Sequence, residues 1–239
     1  MPRRRFWPRH RGAGSGVSSP AADQIGVLCK QCGLDASPTQ LQTLVDYLLL
    51  LQRWNATYNL TAVRDRAAML TQHLADCLAV IPPLKRHAEG GRLLDVGSGG
   101  GLPGVVIAAL LPAWQVTCVD AVAKKMAFVR QVAGALPLPN LRAEHLRVEQ
   151  LQQAPFDLIT SRAFSSLAEF TRLTRAHLAP GGVWMAMKGR APTVELAELP
   201  ADVQAFHVEQ LAVPGLDAQR CLVWMRPAGA EPAKSAKLA

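Results

Sequence analysis

Hydrophobic positions change their period near residue 86, and the change divides the 239-residue chain in two. Before it, Leu41, Leu44, Val45, Leu48 and Leu51 recur at steps of three and four, the spacing of one face of an α-helix. Ser37 carries a hydroxyl suited to capping such a helix, and Pro38 has the fixed φ of a first helical turn. Leu49 and Leu50 make this helix apolar nearly all round. A second helical stretch, Arg66 to Ile81, aligns Met69, His73, Cys77 and Val80, and Pro82-Pro83 is expected to stop it. Residues 21–85 therefore predict a small helical region.

After residue 86 short Val-, Leu- and Ile-rich runs alternate with helical segments, the pattern of βαβ units around a parallel sheet. The expected strands are Arg92 to Val96, Gln115 to Asp120, Leu141 to His145, Asp157 to Ser161 and Gly182 to Lys188. Two further β-like runs, Ala205 to Val213 and Arg220 to Arg226, flank Pro214-Gly215-Leu216-Asp217 and read as an antiparallel hairpin closing the sheet. The fold class is thus α/β, Rossmann-like and mostly parallel, over residues 86–226. Residues 1–20, rich in Arg, Gly, Ser and Pro, and residues 227–239 are expected to be flexible tails.

Composition narrows the function classes. With 49% hydrophobic and 18% charged residues, the chain can bury a sizeable core, and neither a disordered nor a fibrous protein fits. The net charge of +8 suggests a polyanionic partner. Arg3, Arg4, Arg5, Arg9 and Arg11 supply +5 of it and residues 227–239 another +1, so the body carries only +2. Five scattered cysteines fit a reduced, cytosolic setting. Cys29-x-x-Cys32 has neither the second pair a zinc site needs nor the preceding strand of a redox motif, so no metal is expected. The opening Arg-Arg-Arg-Phe lacks the apolar run of an export signal, and Val105 to Leu111 is too short to span a membrane.

The most informative segment is Asp95-Val-Gly97-Ser-Gly99-Gly-Gly101-Leu102-Pro-Gly104, between a strand and the helical run from Val105. Glycines let the backbone turn sharply and let a ligand lie against it, and the helix start offers free N–H groups to an anionic part of that ligand. Gly99-x-Gly101-x-x-Gly104 also satisfies the dinucleotide frame. Asp95 weighs against a pyrophosphate, which it would repel, and favours a cationic sulfonium or ammonium. Asp120 ends the next strand, where a carboxylate can hold ribose hydroxyls.

Asp95 through Gly104 with Asp120 resembles the class I S-adenosylmethionine-dependent methyltransferases. A wider ordered set resembles the family of ribosomal RNA small subunit methyltransferase G. It consists of Tyr58-Asn59-Leu-Thr-Ala-Val-Arg64-Asp65, His73-x-x-Asp76, the glycine loop, Ser161-Arg162-Ala-Phe164 and Lys188-Gly189. The resemblance implies a small-subunit ribosomal RNA substrate, free or in a ribosomal particle, methylated at guanine N7 from S-adenosylmethionine. It implies cofactor contacts from Asp95, Gly97, Gly99, Gly101, Leu102, Asp120, Val148, Glu149 and Arg162. Gly100 departs from the family, several members of which carry Pro there, and is expected to loosen the loop.

Guanine N7 exposes an in-plane lone pair, so its methylation needs no general base and none is nominated. Substrate-side candidates are Asn59, Arg64, His73, Lys188, Arg190 and Arg220, whose cations can grip phosphates. His73 reads equally as a base contact or as a core histidine bonded to Asp76. Lys124 and Lys125 read as solvated or facing RNA, and Met185 and Met187 as core. An NAD-linked oxidoreductase and a non-catalytic RNA-binding module stay open at this point.

Overall fold

A computed structural model describes residues 19–162 and 164–230, so the expected tails lie outside it except for Ser19, Pro20 and residues 227–230. Ser19 already caps helix α1 (Pro20–Gln31), its hydroxyl accepting the Ala22 N–H at 3.2 Å. This helix buries Ala22, Ile25, Leu28 and Cys29. Helix α2 (Pro38–Tyr58) starts in a reciprocal capping box: the Gln40 N–H donates to Ser37 Oγ and the Ser37 N–H to Gln40 Oε1. It ends at Asn59, which adopts a left-handed conformation at φ 48° that asparagine tolerates better than most residues.

The second predicted helix is broken into pieces. Asp65 caps α3 (Arg66–Met69), a π-helical turn follows over Leu70–Ala75, and α4 (Asp76–Leu78) completes the run. Thr71 sits at the widening and donates its hydroxyl to the Ala67 carbonyl at 3.2 Å. Pro82 and Pro83 do not end this helix, which stops at Leu78. They occupy the first turn of α5 (Ile81–His87), where the missing N–H costs no hydrogen bond.

The sheet follows the expected alternation. Its elements in order are β1 (Gly91–Val96), α6 (Gly104–Leu110), β2 (Trp114–Asp120), α7 (Ala123–Ala135), β3 (Leu141–His145) and β4 (Phe156–Arg162). Then come α8 (Leu167–Thr174), β5 (Leu178–Lys188), α9 (Thr193–Ala197), β6 (Val203–Gln210) and β7 (Cys221–Pro227). The spatial order is β3-β2-β1-β4-β5-β7-β6, with β7 antiparallel to both neighbours. The hairpin connection spans residues 211–220 rather than the expected 214–219, because β6 ends at Gln210 and β7 begins at Cys221.

One face of the sheet shares a continuous core with the N-terminal helices: Leu44, Leu51 and Leu74 pack with Val106, Val129 and Trp224. On the other face Val96, Ile159, Phe170 and Trp184 form a second core under α8, where the Trp184 indole N–H donates to Thr174 Oγ1 at 2.8 Å. Each fully buried Leu or Phe adds roughly 1.5–3 kcal/mol, so the helical region is fastened to the sheet by packing. The strand order reverses between β1 and β4, and the carboxyl ends of these strands form the crevice where open α/β sheets bind ligands. No helix of the described residues is long and apolar enough to cross a membrane. The five cysteines are unpaired, and burial pushes the Cys29 and Cys32 thiols up to about 11.

Candidate active site

At the carboxyl end of β1 the chain turns back toward β2, with the Gly97 N–H donating to the Val119 carbonyl at 2.8 Å. The loop glycines then divide by surroundings. Gly97 and Gly99 have φ of 66° and 57°, and a Cβ on either would meet nothing within 4 Å. Their backbone borders open space and can take a ligand in contact. Gly101 and Gly104 face the protein instead: a Cβ would lie 2.5 Å from Val105 Cγ2 in the first case and 2.5 Å from Cys118 Sγ in the second. Gly100 does not hang loose as its departure from the family suggested, because the buried Tyr47 hydroxyl donates to its carbonyl at 2.8 Å.

Two carboxylates brace this loop. Asp95 is fully buried and accepts the Gly104 N–H at 2.8 Å through Oδ2, while Oδ1 has no hydrogen-bond partner. Burial pushes its pKa up to about 7, against the pull of the Gly104 N–H and of Arg162. Asp120 accepts the Gly99 N–H at 3.1 Å, the Val122 N–H at 2.9 Å and the Lys125 ammonium at 3.4 Å. A carboxylate has about four lone-pair sites, which leaves room for about one more donor.

The helical region supplies the opposite wall of a cavity of about 460 Å³. Buried Asn55 organises the loop after α2, accepting the Thr61 N–H at 2.8 Å and donating to the Val63 carbonyl at 3.0 Å. Thr61 Oγ1 lies 2.7 Å from His73 Nε2, and Arg162 Nη1 lies 3.5 Å from His73 Nδ1. Burial, with Arg162 alongside, lowers the His73 pKa and keeps the ring neutral near pH 7. Asp76 does not pair with His73. It sits between two guanidiniums, Arg220 Nε at 2.9 Å and Arg162 Nη1 at 3.5 Å. The π-helical turn that widens the helix just before Asp76 holds both Gln72 and His73 at this wall.

A family model described as rRNA small subunit methyltransferase G matches residues 40–223. The chain belongs to this family. Among its methyltransferase G relatives, the protein of Leptothrix cholodnii is 60% identical over 210 residues, covering 87% of this chain and 96% of that one. The Bordetella avium protein of the same name is 52% identical over 209 residues, covering 86% and 93%. Solved structures share the fold at lower identity. TrmN from Thermus thermophilus aligns at TM-score 0.51 and 21% identity, covering 66% of this chain and 53% of that one. A SAM-dependent methyltransferase from Aquifex aeolicus aligns at 0.51 and 14%, covering 66% and 92%. A six-stranded dinucleotide fold runs 3-2-1-4-5-6, whereas here antiparallel β7 stands between β5 and β6, so the NAD-linked reading is not favoured.

In this chain the cavity wall unites Gly97, Gly99, Leu102, His73, Arg162, Lys188 and Arg220. Lys188 arrives already paired, its ammonium 2.7 Å from Glu195 Oε2. Asp95 and Gly101 lie within the loop's packing, and Asp120, Val148 and Glu149 stand outside the wall, Val148 buried and Glu149 exposed. Asn59 and Arg64 bond to each other at 3.2 Å on the exposed lip, and Arg190 is exposed beyond Gly189. Of the two expected core methionines, Met185 is wholly buried and Met187 shows an edge to the cavity. Sequence reasoning did not single out Tyr47, Asn55, Gln72 or Ser98. For Tyr47 and Asn55 the available signal was a polar atom on the apolar face of α2.

Proposed function

We propose that this chain transfers a methyl group from S-adenosylmethionine to N7 of a guanine in small-subunit ribosomal RNA. The observation that carries the reading is one cavity bounded by the open backbone of Gly97 and Gly99 on one side and by Arg162, Arg220 and His73 on the other. When bound, S-adenosylmethionine supplies a methyl group on a cationic sulfonium. Gly97 and Gly99 fit it because their α-carbons face open space. Leu102 offers apolar contact, the remaining acceptor capacity of Asp120 suits a ribose hydroxyl, and Val148 and Glu149 serve the adenine side. Arg162 keeps its Nη2 and Nε donors for a carboxylate, since the hydrogen bonds it makes to the Gln72 carbonyl and His73 and its ion pair with Asp76 all run through Nη1. Asp95 acts from beneath, fixing the helix start at Gly104.

Guanine N7 needs no base, and the wall is built accordingly. Asp76 is hydrogen-bonded to Arg220 and ion-paired with Arg162, and the His73 ring nitrogens face Thr61 and Arg162. Neither group is set to remove a proton, so rate enhancement comes from alignment in a partly enclosed site. Arg220 and the exposed lip residues Arg64 and Arg190 supply positive charge for phosphates. The test is incubation of the protein with methyl-labelled S-adenosylmethionine and small ribosomal subunits or their RNA. Label enters the RNA and is absent with Gly97→Asp. No incorporation into either substrate by the wild-type protein contradicts the reading.

A further inference from the structure

Tyr58 closes α2 and is 46% exposed, in contrast to Trp54 one turn earlier, which is partly buried and backs it with ring centroids 5.0 Å apart. The other exposed large apolar side chains among the described residues are valines, so Tyr58 is the most openly presented of their Phe, Tyr and Trp rings. Trp54 is wedged in turn against Phe128 at 5.6 Å, which gives the exposed ring a rigid support. Cations flank it. The Lys124 ammonium donates to the Tyr58 carbonyl at 2.7 Å, and the Arg64 guanidinium donates to Asn59 Oδ1 at 3.2 Å. Both side chains are exposed and keep further donors free for a ligand. The nearby acid, Asp65, is engaged as a helix cap by the Ala68 N–H at 2.8 Å. Two residues beyond Tyr58 the chain enters the cavity wall at Leu60 and Thr61.

An aromatic face between two cations at the mouth of the cavity matches the chemistry of a single-stranded nucleotide, a π-faced base with an anionic phosphate on each side. We propose that Tyr58 is the stacking platform for an unpaired RNA base next to the target guanine, with Arg64 and Lys124 holding the phosphates that flank that base. This rests on the RNA reading above and adds where the strand runs: over the end of α2 and the start of α7 before the target enters the cavity. The tyrosine ring, not its hydroxyl, does the stacking.

The test uses the full chain and small-subunit RNA fragments containing the methylated guanine, with the fluorescent base 2-aminopurine placed on either side of it. Stacking on an aromatic ring quenches this base. Quenching is expected with the wild-type protein and with Tyr58→Phe, and disappears with Tyr58→Leu, which keeps an apolar cover over Trp54 but has no aromatic face. RNA affinity of the Leu variant falls about 5- to 150-fold, while its calorimetric affinity for S-adenosylmethionine stays at the wild-type value. Unchanged RNA affinity and quenching in Tyr58→Leu overturn the proposal. So does an equal loss in Tyr58→Phe, or a loss of cofactor affinity without loss of RNA affinity. A wild-type protein that methylates no small-subunit RNA overturns the RNA reading itself, an outcome distinct from these.

Discussion

Gly97 and Gly104 stand seven positions apart in one loop, and an added methyl group separates their roles. Gly97→Ala places its Cβ in open space at a positive φ, a strain of roughly 1–2 kcal/mol, and fills the cradle. Calorimetry should show a loss of S-adenosylmethionine affinity exceeding tenfold with a small drop in melting temperature. Gly104→Ala drives a Cβ against Cys118 Sγ at 2.5 Å and Asp95 Oδ2 at 2.9 Å in the buried interior. Overpacking of this kind costs about 1–3 kcal/mol, so urea unfolding should show the larger stability loss there. Asp95 gives a pH signature. Its carboxyl titrates at about 7 when folded and near the ordinary 3.8 when unfolded, so between these values the folded chain holds the extra proton. The stability this group contributes is therefore fully present below about pH 4, falls as pH rises toward 7 and is level above. Burial lowers the pKa of His73 and His87, which act in the opposite direction. Both remain in Asp95→Asn and cancel in the comparison. Urea unfolding from pH 5 to 8 should show wild type losing stability relative to this variant as pH rises, and equal pH slopes would count against the assignment.

Helix α2 joins the two halves of the site. Its Tyr47 holds the glycine loop and its Asn55 holds the loop that carries Thr61, so one helix sets the width of the cavity. Tyr47→Phe leaves the Gly100 carbonyl without its partner, which should cost about 1–3 kcal/mol in unfolding measurements. Asn55→Ala releases two hydrogen bonds and should raise the KM for RNA more than that for S-adenosylmethionine. Much of this arrangement was legible in the sequence. The β1-to-β5 alternation and the glycine loop are local patterns, and local patterns survive folding. Helix α1 was not singled out, because the Ser19 cap follows directly on an Arg- and Gly-rich stretch. The role of Pro82-Pro83 was reversed because a proline pair fits a helix start as well as a helix stop. The Asp76 bond to Arg220 spans 144 positions, and no spacing rule reaches that far. Nor does the Lys188–Glu195 pair show in sequence, since it depends on how α9 folds back toward the end of β5.

Charge belongs to the whole molecule. The +5 in residues 1–20 comes entirely from arginines at or before position 11, and the described fold begins at the Ser19 cap. A truncation meant to remove the basic segment should therefore end at residue 18 and keep Ser19 and Pro20. That truncated protein should bind RNA more weakly at low salt, its log affinity declining less steeply with log salt by about 0.7 for each phosphate it no longer neutralises. The nucleotide it methylates should not change, because the cavity is intact. An altered target would assign recognition to the basic segment. The central claim concerns the product, an N7-methylguanine in small-subunit RNA. It is tested most directly by mapping N7-methylguanines in that RNA, by chemical strand scission, from cells with and without this gene. One guanine should lose its N7 methyl group when the gene is absent, regain it with the wild-type chain and stay unmodified with Gly97→Asp. An identical set of N7-methylguanines in both cell types would contradict the account.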